Sequence, residues 1–153
     1  MAKVVREVLV NASREKIWEI LANLESVQQY DPGVTAARYL TEAKEGVDAA
    51  RHCDLVGGDF VKERITAWSP KEGYSIAVYE GGDAFAPFQS QQGRFILTGA
   101  QGGTTVRMEL TYELQPDVPG EQEIEAQMGE LVGGTLAGLK HYAETGEPVE
   151  PQA

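Results

Sequence analysis

The chain has 153 residues, a length that fits one domain and can bury a core of its own. Its 13 Lys and Arg stand against 24 Asp and Glu, a net charge of −11 with the histidines neutral, so nucleic acid and anionic membrane surfaces are disfavoured as partners. Hydrophobic residues at 42% and charged residues at 24% exclude a disordered chain, and the single cysteine, Cys53, excludes an internal disulfide or a cysteine-based zinc cluster. Met1 to Glu7 carries no apolar signal core, and no apolar run approaches a membrane span. The expectation is a cytoplasmic protein without integral membrane association.

One folding unit is expected from residue 1 to about 146, with no repeat or internal linker. Glu147 to Ala153 reads as a solvated tail that packs against nothing. Val4 to Val10, rich in β-branched residues, predicts a first strand. Ser13 is placed to cap a helix whose Ile17, Leu21 and Leu24 share one face. A second helical turn, Leu24 to Gln29, ends before the turn tripeptide Asp31-Pro32-Gly33. The period then changes to two. Strands are expected at Val34–Leu40, Asp48–Val56, Phe60–Trp68, Tyr74–Glu80, Phe88–Gly99 and Thr104–Gln115, separated by turns rich in glycine and charge. In the last of these, Val106, Met108, Leu110, Tyr112 and Leu114 take one face, and Arg107, Glu109, Thr111 and Glu113 the other.

Pro116 and Pro119 end the sheet, and a long helix begins near Gly120-Glu121, with Glu121, Glu123 and Glu125 where the helix dipole favours negative charge. Ile124, Met128, Leu131, Thr135, Leu139 and Tyr142 form its apolar stripe, widened by Val132 and Leu136, and Gly146 is a fitting stop. Gly129, Gly133, Gly134 and Gly138 each cost roughly 1 kcal/mol relative to alanine inside a helix. They point to close approach of the sheet, to space left for a ligand, or to a break near Gly133-Gly134. The order strand, two helices, six strands, long helix defines an α+β chain with an antiparallel sheet.

Particular residues at the joints of that order resemble the START/polyketide cyclase superfamily, the Bet v 1-like or helix-grip fold. They are Ala12 to Leu21 where the first strand enters the helix, Tyr30-Asp31-Pro32-Gly33-Val34, and Arg51 to Leu55 leading through Gly57-Gly58 to Val61-Lys62-Glu63-Arg64-Ile65. Gly103 to Val106 and Leu136 to Lys140 complete the set. The resemblance implies a curved antiparallel sheet of about seven strands gripping the C-terminal helix around an apolar cavity. It implies a small hydrophobic or aromatic ligand: a lipid, polyketide or phenolic.

Strand parity says which residues would line such a cavity. Tyr74, Ile76 and Val78 share a face, as do Phe95 and Leu97; continuing that phase turns Gln91 and Gln89 inward unless a bulge near Gly93 resets it. Met108, Leu110 and Tyr112 join them, with Met128, Leu131, Val132, Thr135 and Leu139 from the helix. Glu63 shares the dry face with Val61, Ile65 and Ala67, where a carboxylate needs a partner. A three-residue loop, Gly57-Gly58-Asp59, puts Arg51, Cys53 and Leu55 on the Glu63 face; a two-residue loop puts His52 opposite Glu63 instead, as an acid–base pair. The resemblance favours the first.

Two histidines without metal-ligand spacing, and no phosphate loop or nucleophile elbow, leave metal and cofactor unexpected. Three readings follow. The chain binds or carries a small hydrophobic molecule in its cavity; or it is a cyclase or dehydratase in which Glu63, with Tyr112 or His52, shuttles protons; or it presents an acidic face to a basic protein. Oligomeric state stays open.

Overall fold

The computed structural model describes residues 1–152, and the expected order of elements is present. Strand β1 (Ala2–Val10) runs into helix α1 (Arg14–Ala22), where the Ser13 hydroxyl accepts from the Lys16 N–H at 3.1 Å and satisfies one of the free donors of the first turn. Ile17 and Leu21 are the buried face of α1. A single 3-10 turn (Leu24–Ser26) leads directly into the short helix α2 (Val27–Tyr30). The Asp31 carboxylate then accepts from the Gly33 N–H at 2.9 Å, closing a side-chain turn that sets the chain off into the sheet.

The strands β2 (Val34–Tyr39), β3 (Ala50–Leu55), β4 (Phe60–Ser69), β5 (Gly73–Gly81), β6 (Phe88–Ala100) and β7 (Gly103–Leu114) join β1 in one seven-stranded sheet of order β1-β7-β6-β5-β4-β3-β2. Every pairing is antiparallel. The alternation expected for β7 holds: Val106, Met108, Leu110 and Tyr112 are buried, and their odd-numbered neighbours are more exposed. Helix α3 (Glu121–Thr145) packs chiefly on β1 and β7, and against α2. It ends as expected at Gly146, whose φ of 76° lets its N–H reach the Tyr142 carbonyl at 2.8 Å.

α3 is unbroken through Gly133-Gly134. Of its glycines, Gly138 has the clearest steric reason: an added Cβ would lie 1.8 Å from the Tyr30 carbonyl oxygen of α2, while Gly129 approaches the sheet, where a Cβ would lie 2.7 Å from the Arg6 guanidinium of β1. Gly133 meets nothing within 4 Å.

Three expectations are corrected. The β3–β4 loop is displaced by one residue from the expected Gly57-Gly58-Asp59: Asp54 pairs with Phe60, Arg51 with Glu63, and the Leu55 N–H reaches the Asp59 carbonyl at 2.8 Å around Val56-Gly57-Gly58. The Asp59 carboxylate anchors that loop by accepting from Phe60 and Ala84 N–H groups at 2.8 and 2.6 Å. In β6 the register slips between Phe88 and Ser90, not near Gly93, so Phe88 turns inward and Gln89 outward, where its amide donates to the Leu114 carbonyl. The tail is largely exposed but does pack: Val149 N–H donates to the Gln29 carbonyl at 2.9 Å and Gln152 N–H to that of Pro32 at 2.7 Å. Ala153 lies outside the described residues. Among those residues, no helix is long and apolar enough to cross a membrane.

Candidate functional site

Between the inner face of the sheet and helices α2 and α3 lies a cavity of ≈ 200 Å³. Its apolar walls come from alternate residues of the central strands, Ile76 and Val78 on β5, Phe95 on β6, Met108 and Leu110 on β7. Met128, Leu131 and Thr135 of α3 close the other side, with the Gln91 amide donating to the Met128 sulfur at 3.6 Å. Leu131 is 44% exposed although it lines the cavity, and Ala84 in the β5–β6 link is exposed too. The way in therefore runs between α3 and the two loops that Asp59 ties together.

Polar groups gather at the end formed by β3, β4 and the α2–β2 joint. The shared parity of Arg51, Cys53 and Glu63 brings all three inward. Arg51 is 4% exposed; its Nε donates to Glu63 Oε1 at 2.9 Å and its Nη1 to the Leu24 carbonyl at 3.0 Å. Glu63 Oε1 also receives the Cys53 thiol at 3.5 Å, while Oε2 has no hydrogen bond among the described residues. Burial works against the guanidinium charge, but Glu63 beside it outweighs that, and the Arg51 pKa stands well above the ordinary value. Burial pushes the Cys53 thiol up to about 12, so it stays protonated.

Asp31 faces the same space. Its Oδ1 accepts from Gly33 and its Oδ2 from the Thr135 hydroxyl at 3.1 Å. Burial raises its pKa, and those two bonds pull back against the rise. Tyr30, 1% exposed, also lines the cavity, and Tyr74 lies behind it with a buried hydroxyl that has no partner. Burial raises the pKa of both tyrosines, so both remain neutral donors.

Some expected lining residues are elsewhere. Tyr74, Leu97, Val132 and Leu139 are on the inner side but interlock in the core, none more than 4% exposed. Gln89 is on the surface, by the β6 bulge. Tyr112 is buried, but at the far end of the sheet, where its ring meets Phe88 edge-on and burial with Glu125 and Glu121 raises its pKa. His52 is on the opposite face of β3, stacked on Phe60 at 5.2 Å and bonded to Asp54 at 3.0 Å. The pairing of His52 with Glu63 is thus not formed, because the Arg51–Glu63 register turns His52 outward. Glu63, Tyr112 and His52 do not converge.

Conversely, strand parity missed Val27, Tyr30, Asp31, Val34, Gly93 and the loop-borne Ala84 as wall residues, while Leu55 and Val61, expected on the Glu63 face, do line the cavity. The available signal was the Tyr30-Asp31-Pro32 sequence, a turn set between a helix and a strand. Among the described residues no group of three His, Cys, Asp or Glu is arranged to hold a metal ion.

Residues 1–144 match the model of the polyketide cyclase / dehydrase and lipid transport family, and the chain belongs to that family. No curated protein matches it. Among solved structures, a START superfamily protein from Mycobacterium smegmatis is 19% identical with a TM-score of 0.78, covering 93% of this chain and 97% of that one. The protein TTHA0849 from Thermus thermophilus is 23% identical at a TM-score of 0.75, over 93% and 97%. Ara h 8.0201 is 14% identical at a TM-score of 0.77, over 93% and 97%. At these identities the likeness is one of fold, the helix-grip fold.

Proposed function

From that family membership and the site's geometry, we propose that this chain binds a small hydrophobic or aromatic molecule in the cavity between its sheet and α3. The observation that carries the reading is a ≈ 200 Å³ space with apolar walls, an opening beside Leu131 and one polar end. Such a site buries an apolar body and orients it by a few hydrogen bonds. The alternative, a cyclase or dehydratase, is supported by Glu63 Oε2, an unbonded carboxylate oxygen on a residue of the cavity wall. It is weakened by the positions of Tyr112 and His52, which leave Glu63 without the proton partners expected for it. The test is native mass spectrometry of the protein as purified, followed by analysis of a denatured extract. A co-purifying apolar molecule supports the binding reading. The bare mass, together with no thermal shift from a panel of phenolic, polyketide and fatty-acid compounds, removes it.

A further inference from the structure

The polar end of the cavity is built so that its one positive charge is already answered. Arg51 gives Nε to Glu63 and Nη1 to the Leu24 carbonyl, and a second carboxylate, Asp31, faces the same space. An incoming carboxylate would meet two acidic groups and a guanidinium already paired, in surroundings where water screens little. An ammonium group, with three N–H donors, would find one wholly free acceptor, Glu63 Oε2: Oε1 is taken by Arg51 and Cys53, Asp31 Oδ1 by Gly33, and the Thr135 hydroxyl divides its one proton between Asp31 Oδ2 and the Leu131 carbonyl. Glu63 Oε2 has no hydrogen bond among the described residues, and the Tyr30 hydroxyl, kept neutral by burial, belongs to the same cavity wall. One free acceptor set beside one neutral hydroxyl complements a group that both donates and accepts.

Size narrows the class further. A cavity of about 150 Å³ holds a benzene-sized guest. A volume of ≈ 200 Å³ therefore takes one ring with a short substituent.

We propose that the Arg51–Glu63 pair makes this cavity selective for neutral single-ring molecules carrying a hydroxyl, and that Glu63 is the residue that turns carboxylates away. The inference rests on the binding reading above and adds the charge and size of the ligand to it. Long-chain fatty acids are disfavoured by their charge at neutral pH, and the ≈ 200 Å³ interior holds only part of such a chain.

The test is calorimetric titration of the full chain at neutral pH with phenol, toluene, benzoate and benzylammonium, in the wild type, Glu63→Gln and Asp31→Asn. In the wild type phenol should bind at least about tenfold tighter than benzoate, toluene or benzylammonium, a gap of about 1.4 kcal/mol. In Glu63→Gln the glutamine oxygen still accepts from Arg51 but the charge is gone. Benzoate affinity should rise about tenfold there, and the preference for phenol should collapse. Asp31→Asn should raise benzoate affinity in the same direction, which keeps the test open if Glu63→Gln does not fold. Benzoate or benzylammonium binding the wild type as tightly as phenol overturns the selectivity while leaving the binding reading standing. Toluene binding as tightly as phenol overturns the role of the polar end. No binding by any of the four, with the bare mass in native spectrometry, fails the binding reading itself.

Discussion

Gly138 of α3 lies against the main chain of Tyr30 so closely that a Cβ would sit 1.8 Å from the Tyr30 carbonyl oxygen. Because Tyr30 and Asp31 supply part of the polar end of the cavity, this contact between two helices distant in sequence positions the site as well as the core. Neither partner can yield easily, since the oxygen is main chain and the helix behind it is continuous. Gly138→Ala should destabilise the fold by about 3 kcal/mol or prevent folding. Gly133→Ala, into open space, should instead stabilise by about 0.5–1 kcal/mol. Urea unfolding of the two variants checks both signs.

Arg51 and Glu63 stand directly opposite each other on adjacent strands, with side chains 5% and 16% exposed. Arg51→Leu strands a carboxylate near Asp31 and frees the Leu24 carbonyl, and should cost about 3 kcal/mol. The double replacement Arg51→Leu/Glu63→Leu should recover at least half of that, since no unpaired charge remains. A double-mutant cycle by denaturant unfolding measures the difference. Equal losses in the single and double variants would show that packing, not charge, holds this end.

Two acids should shift stability with pH in opposite senses. Burial raises the folded pKa of Asp31, so its contribution is present below the unfolded value of about 3.9 and lost as pH rises through the folded value. Glu144 is the reverse: the Asn11 N–H and the Lys140 ammonium lower its folded pKa, so its contribution is present above about 4.3 and lost as pH falls. Relative to the wild type, Asp31→Asn should therefore gain stability as pH rises through this acid range, and Glu144→Gln should lose it. Unfolding free energies from about pH 3 to pH 7 give the two slopes.

Cys53 is 1% exposed, and its thiol is pushed up to about 12. In the folded protein it should react with a disulfide reagent near pH 8 at least about a hundredfold slower than in denaturant, because almost none of it is thiolate. As Cys53 lines the cavity, a bound ring should slow the residual reaction further. A rate unchanged by saturating phenol would place the ligand elsewhere.

Much of the architecture was legible in the residues. Alternation of period two in β5–β7 and the apolar stripe of α3 are local properties of each segment, so their order and inner faces follow from composition and turn chemistry. The parity that turns Arg51, Cys53 and Glu63 inward was legible as one of two alternatives. Which alternative held is seen in the closure of the loop, where Leu55 meets Asp59 and the Asp59 carboxylate accepts from the Ala84 N–H of the neighbouring loop. In the same way the slip at Phe88/Ser90 sends Gln89 outward, and the seat of Tyr30 under Gly138 brings Asp31 to the cavity. Pattern within a segment records which side of it is dry. Where two dry sides leave a space, and which polar groups reach it, depends on contacts between residues far apart in the chain, which only the folded molecule contains.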